Sequence, residues 1–383
     1  MPGMCGRSST SLHVEPRTGQ QVTLCRHGEP DLAFPFTEAS SPVFGYLLPR
    51  ETDGIVHTGP AACHPHAIDT LNFKSVSYAP RSCVLLKCPG FGREEAIIMS
   101  VTLRPGKPDD AQACATICYE AFKDIAAQHN FPPDFPSPEI PKQFLSQLLA
   151  REDIYAVVAE IDGRIVGSNF LTEYALIAGV GPITVHPHTQ NSSIGRQLME
   201  SVLSRASTRR CIGVRLVQVA YHNRSLSLYT KLGFDAREPL SVMQGPPLHL
   251  TLPGCHVRQA VETDLGACNR LCWQIHGHER SQEVVDGIRQ GTATVVERGG
   301  RITGYATSIG YFGHAVGETN EDMKALIGGA PAFLGPGFLL PTRNAELFRW
   351  CLQHGLRVVQ PMTLMSLGLY QKPSGVVLPS ILY

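Results

Sequence analysis

The chain has 383 residues, 43% of them apolar, with 33 Lys and Arg against 33 Asp and Glu. That length holds two or three domains of ordinary size, and the balanced charge excludes a strong electrostatic pull toward nucleic acid or anionic lipid. No apolar run is long enough to cross a bilayer and the opening MPGMCGRSST lacks a signal-peptide core, so a soluble cytoplasmic protein is expected, with no membrane or nucleic-acid partner.

Residues 1–98 are dense in Pro, Ser, Thr, Gly and His, and their apolar runs are as short as Cys83 to Leu86. Cys25-Arg26-His27, Cys63-His64-Pro65-His66 and Cys83 with Cys88 offer zinc-type ligands, but their separations match no common finger, and no metal is expected. The segment reads as a low-order extension, or as a translated upstream region ahead of a start at Met99. The twelve cysteines are spread along the chain, and Cys114 with Cys118 and Cys268 with Cys272 stand at helical spacing on apolar faces. Buried, reduced thiols acting as small hydrophobes are expected.

From Met99 the pattern predicts a strand over 101–104 and then a helix capped at Asp109 or Asp110 and carrying Ala113, Ile117, Ala121 and Phe122. A Pro-rich loop, 131–141, leads to a helix around Phe144, Leu148 and Leu149. Strands over 155–161 and 165–170 are joined by the hairpin signal Asp162-Gly163. A further strand lies within 176–185, broken at Gly181-Pro182. The stretch Ile183 to Met199, ITVHPHTQNSSIGRQLM, then reads as strand, tight polar turn and helix, the helix opening near Gly195. The first amides of a helix lack intrahelical partners, so small residues there make an anion site. A strand over 214–220 follows, and then a short helix bearing Leu228 and Leu232, closed by Gly233.

Gln190, Ser193 and Gly195, with Val185-His186-Pro187 before them and Arg196-Gln197-Leu198-Met199 after, resemble the Gln/Arg-x-x-Gly-x-Gly/Ala loop of the GNAT superfamily of acetyl-CoA-dependent N-acetyltransferases. Ser193 stands where that family usually has glycine. The segment Asn223-Arg224-Ser225-Leu226-Ser227-Leu228-Tyr229-Thr230-Lys231-Leu232-Gly233-Phe234 resembles a second GNAT element, an Asn followed by a helix bearing Leu-Tyr and ending in Gly-Phe. The family often sets its Asn seven residues before the Tyr, the place of His222 here.

After residue 250 the chain repeats itself. Val257-Arg258-Gln259, Asp264, Ala267-Cys268 and Cys272 match Leu103-Arg104-Pro105, Asp110, Ala113-Cys114 and Cys118 at a constant offset. Glu297, Gly300-Arg301-Ile302 and Gly304 mirror Glu160, Gly163-Arg164-Ile165 and Gly167. A repeat of this length is a domain duplication. The expected fold is α/β: two tandem GNAT-like domains, each a twisted, mostly antiparallel sheet flanked by helices, at 99–248 and 255–383, pairing within the chain as a pseudo-dimer. In the second copy Phe338-Leu339-Leu340-Pro341 is read as the strand before the phosphate loop, with the Gln-x-x-Gly-x-Gly element missing, and the apolar end 378–383 as a closing strand.

The resemblance implies an N-acetyltransferase that moves an acetyl group from acetyl-CoA to a primary amine by direct attack. It implies Ile183, Val185, Gln190, Asn191, Ser192, Ser193, Ile194, Gly195, Arg196 and Asn223 at the cofactor, with an amide of Val185 or a neighbour on the thioester carbonyl. Tyr229 falls at the family's general acid, and its ordinary pKa near 10 keeps it protonated. For the base, Glu173 is the candidate, with His186 and His222 as titratable alternatives. The acceptor stays open, and so does a non-catalytic acyl-CoA sensor or structural pseudo-acetyltransferase.

Overall fold

A computed structural model of the chain describes residues 99–383 together with the two-residue strand β1 (Cys83–Val84), which pairs with β2 (Met99–Ser100). The rest of the 1–98 segment lies outside the described residues, including the zinc-type positions Cys25, His27, Cys63, His64, His66 and Cys88.

From β3 (Thr102–Pro105) the chain passes through α1 (Ala111–Gln128) and α2 (Glu139–Leu149) into the hairpin of β4 (Ile154–Ile161) and β5 (Arg164–Thr172). Asp162 and Gly163 turn it with φ of 50° and 73°, the double positive φ whose twist suits a two-residue hairpin. Two short strands, β6 (Ile177–Val180) and β7 (Thr184–Val185), both pair with β5. Then come α3 (Ile194–Thr208), β8 (Gly213–Val219), α4 (Asn223–Lys231) and β9 (Asp235–Gln244). On α3, Leu198, Met199 and Val202 are fully buried against Val157, Ala159 and Leu171 of the sheet, side chains each worth about 1.5–3 kcal/mol of burial.

The second half follows the same order: β10 (His256–Gln259), α5 (Leu265–His276), α6 (Ser281–Arg289), β11 (Thr294–Arg298), β12 (Arg301–Ala306), β13 (Ala315–Gly317), α7 (Asn320–Gly329), β14 (Phe338–Pro341), α8 (Ala345–Gln353) and β15 (Arg357–Gly368). A last strand, β16 (Val376–Leu378), pairs with β13. The repeated residues form the same cluster twice. Arg104 bridges Asp110 and Glu160, both at 2.7 Å, and Arg258 bridges Asp264 at 2.7 Å and Glu297 at 2.6 Å. Both hairpins shift register at the same place, at Ala159/Glu160 and at Val296/Glu297. Cys114, Cys118, Cys268 and Cys272 are free thiols with no exposed surface, and burial raises the pKa of each.

Two expectations change here. The helix after the third strand of the second half is α7, reached directly from β13, whereas Phe338–Pro341 is β14, placed one helix later like β8. Three residues are too few for a period-two signal, so the sequence reading passed over β13 and took the longer apolar run. The apolar end is strand only to Leu378. Beyond it the chain leaves the sheet, and the Ile381 N–H donates to the Tyr311 carbonyl at 2.9 Å.

The sheets do not respect the boundary between the two expected domains. One has the order β14-β9-β15-β8-β6-β5-β4-β3, with β7 beside β5, and the other is β10-β11-β12-β13-β16. β15 lies between β8 and β9, antiparallel to both, so strands of the second half complete the sheet of the first.

Candidate active site

The site begins where two strands separate. β6 and β8 run parallel and pair at Ile177 with Gly213, Ala178 with Val214 and Gly179 with Arg215. Beyond this pairing, Val180 to Val185 and Leu216 to Val219 line opposite sides of a cavity of about 390 Å³. On the β5 side, Gly181, Pro182 and Ile183 stand opposite only Asn169 and Phe170, between the pairs Leu171 with Val180 and Ser168 with Thr184. The extra residue is a bulge. The Ile183 N–H donates to no carbonyl or side chain among the described residues and is therefore free for a ligand oxygen.

One end of the cavity is the loop into α3. Asn191 and Ser193 take φ of 66° and 64°, and successive amides in such left-handed turns make anion-binding concavities. Ser193 is the N-cap of α3 without capping it through its side chain, and the N–H groups of residues 193–196 find no protein acceptor among the described residues. They and the helix dipole face the cavity that Ser193, Ile194, Gly195 and Arg196 line. A left-handed serine costs about 1–2 kcal/mol relative to glycine, which is the residue such a turn ordinarily favours. Gln190 Nε2 holds the Val185 carbonyl at 3.2 Å, and Arg224 reaches from α4 to Gln190 Oε1 at 2.8 Å and to Asn191 Oδ1 at 3.3 Å. Arg224 brings a cation to the loop that sequence reading did not single out.

Tyr229 lines the same cavity and is 5% exposed. It sits in the last turn of α4, which ends in a double return: Phe234 N–H to the Tyr229 carbonyl and Gly233 N–H to the Thr230 carbonyl, both at 3.0 Å. That closure needs the left-handed Gly233, φ 95°. Burial pushes the Tyr229 hydroxyl up to about 12, against a smaller opposing effect of Ser225, so it is a protonated donor at neutral pH. His222, at the head of α4, is pushed down to about 4 by burial, with Arg224 and His129 adding to it. It is neutral near pH 7, and its Nδ1 lies 2.5 Å from Ser225 Oγ.

The structure gathers Ile183, Val185, Gln190, Asn191, Ser193, Ile194, Gly195, Arg196 and Tyr229 around this cavity and leaves four expected residues out of its lining, among them His186, whose Nδ1 accepts from the His188 N–H at 3.3 Å. Ser192 turns its hydroxyl onto the Thr189 carbonyl. Asn223 is exposed on the first turn of α4, while His222, seven residues before Tyr229, lines the cavity in its stead. Glu173 is not a free base: Arg205 clamps it at 2.6 and 2.7 Å, Arg209 stands at 3.7 Å, and the side chain is 5% exposed. It ties α3 to the end of β5. Glu173→Gln is therefore expected to leave turnover unchanged and to lower stability by about 1–2 kcal/mol, less than a fully buried pair because Arg205 keeps 38% of its side chain in water. Melting curves beside steady-state rates decide it.

The site is thus a split sheet with a helix N-terminus at its mouth and a buried tyrosine inside. The family profile described as "Acetyltransferase (GNAT) domain" matches residues 152–236, which span β4 to the start of β9 and hold both motifs. Within that stretch the chain carries a GNAT acetyltransferase domain. Among solved structures it is similar to a putative acetyltransferase from Pyrococcus horikoshii, with 17% identity over 75% of this chain and 97% of that one and a TM-score of 0.57. That likeness of fold takes in more of the chain than either half holds. Others include a GCN5-related N-acetyltransferase from Sphaerobacter thermophilus (15% identity, 71% and 96% covered, TM-score 0.49) and the PaiA N-acetyltransferase from Thermoplasma acidophilum in complex with coenzyme A (19%, 37% and 92%, 0.31). A search of curated proteins found no match.

Proposed function

We propose that the chain transfers an acetyl group from acetyl-CoA to a primary amine, and that it binds one acetyl-CoA, in its first half. The observation that carries this reading is the convergence on one cavity of the unpartnered amides of residues 193–196, the free Ile183 N–H and the protonated Tyr229. The α3 amides and Arg224 hold the pyrophosphate of the substrate. The amine lone pair attacks the thioester carbonyl, whose oxyanion accepts a hydrogen bond from the Ile183 N–H. The C–S bond breaks as Tyr229 gives its proton to sulfur, and a proton from the nitrogen restores the tyrosine.

The two halves are read as a duplication on the strength of the common element order and the repeated Arg-Asp-Glu cluster. The shared sheet supports an intrachain pseudo-dimer. In the second half the helix matching α3 is closed to anions. Thr319 caps α7 in a reciprocal box, and Asp322, with no exposed surface, accepts from the Thr319 N–H at 2.9 Å and from Thr303 Oγ1 at 2.6 Å. A carboxylate already stands where the phosphates would go. Calorimetric titration of acetyl-CoA, with thiol release measured across an amine panel, tests both parts: one site per chain and turnover are expected. Two equivalent sites would refute the division of roles, and binding without turnover on any amine would leave a sensor.

A further inference from the structure

We infer that Asp134 anchors the acceptor ammonium and takes its proton, and that the acceptor is a primary amine carried on an apolar, aromatic-sized body. This deepens the acetyltransferase reading and rests on it. Asp134 lies in the Pro-rich loop between α1 and α2, is 8% exposed, and lines the same cavity as Tyr229. Among the described residues its one hydrogen-bond partner is the neutral Gln360, whose Nε2 donates to Asp134 Oδ1 at 3.0 Å. Gln360 comes from β15, is 1% exposed and is itself held by the Tyr221 hydroxyl at 3.3 Å. A buried carboxylate without a cation is costly, and proteins keep one where a ligand supplies the charge or where a proton must move.

The rest of the wall defines the ligand's body. Phe122, Phe135 and Phe144 from the first half and Tyr311 and Phe312 from the second line the cavity, and Phe144 packs on Phe312 with ring centroids 4.7 Å apart. An extended polycation would find a wall that is mostly aromatic, with Asp124 the one carboxylate besides Asp134 among the lining residues. The second half thus supplies one side of the acceptor chamber and, through Gln360, the hydrogen bond that orients the acid.

Burial, opposed in part by Gln360, raises Asp134 to about 6. The groups facing it are Tyr221, Tyr311 and Cys118, each raised by burial and so uncharged at this pH, while Asp124 lines the same cavity. Above pH 6 the carboxylate takes one proton from the ammonium and passes it to solvent. The freed lone pair forms the C–N bond, C–S breaks as sulfur takes the Tyr229 proton, and the second proton shed by the nitrogen restores the tyrosine.

The test uses the full chain, 2-phenylethylamine and spermidine as amines, and Asp134→Asn, which keeps the Gln360 hydrogen bond. The wild type is expected to acetylate 2-phenylethylamine in preference to spermidine, with kcat/KM falling as pH drops below about 6. Asp134→Asn is expected to lose about a hundredfold or more in kcat/KM, to lose calorimetric binding of 2-phenylethylamine, to bind acetyl-CoA unchanged and to melt no lower than the wild type above that pH. Wild-type turnover by Asp134→Asn, a preference for spermidine, or equal binding of 2-phenylethylamine by both proteins would overturn the inference. Failure of the wild type to bind acetyl-CoA would overturn the transferase reading instead, and binding of 2-phenylethylamine alone would still decide the role of Asp134.

Discussion

Tyr229→Phe is expected to lower kcat for acetyl transfer by about a hundred- to ten-thousand-fold, the usual contribution of a positioned general acid, while acetyl-CoA binds as before. The substitution removes one hydroxyl and nothing of the packing. The ring stays buried in α4 beside Phe234, with centroids 6.2 Å apart, and the helix closure through Gly233 uses only backbone. A pKa pushed up to about 12 leaves the wild-type hydroxyl protonated throughout the neutral range, so the loss is that of a proton donor and is nearly independent of pH there. Steady-state thiol release and calorimetry on the same preparations separate the two quantities. Wild-type turnover in the phenylalanine variant would make Tyr229 a packing residue and send the search for the acid elsewhere in the cavity.

Gly195→Glu is expected to weaken acetyl-CoA binding by about a hundredfold or more, since a like charge set against a phosphate costs several kcal/mol. The backbone admits a side chain here: a Cβ on Gly195 would meet Leu228 Cδ2 at 3.7 Å and Val185 Cγ2 at 3.8 Å, ordinary contact distances. Gly195→Ala is therefore the control, with fold and stability kept. The glutamate favours the helix, because an acid in the first turn complements the dipole. In effect it gives α3 the carboxylate that Asp322 already gives α7. Melting curves should show a folded variant, and calorimetry should show the lost site. Unchanged affinity, or one site of full strength, would place the cofactor elsewhere and reverse the roles of the two halves.

The residues that local chemistry governs were legible in the sequence. The Asp162-Gly163 hairpin, the helix faces of α1 and α3, the Gly233 closure, the small-residue loop at 190–196 and the duplicated Arg-Asp-Glu positions depend on neighbours a few residues away or on a pattern that repeats along the chain. The clamp on Glu173 was not legible, because its partner, Arg205, lies 32 positions on and spacing alone cannot tell a clamped carboxylate from a free one. Only the tertiary structure decided that β15 enters between β8 and β9, since strand pairing across a sheet carries no local signature. That insertion brings Gln360 against Asp134, 226 positions away, and with Tyr311 and Phe312 closes the chamber. An aspartate in a Pro-rich loop looks like any solvated turn residue until long-range packing takes its water away.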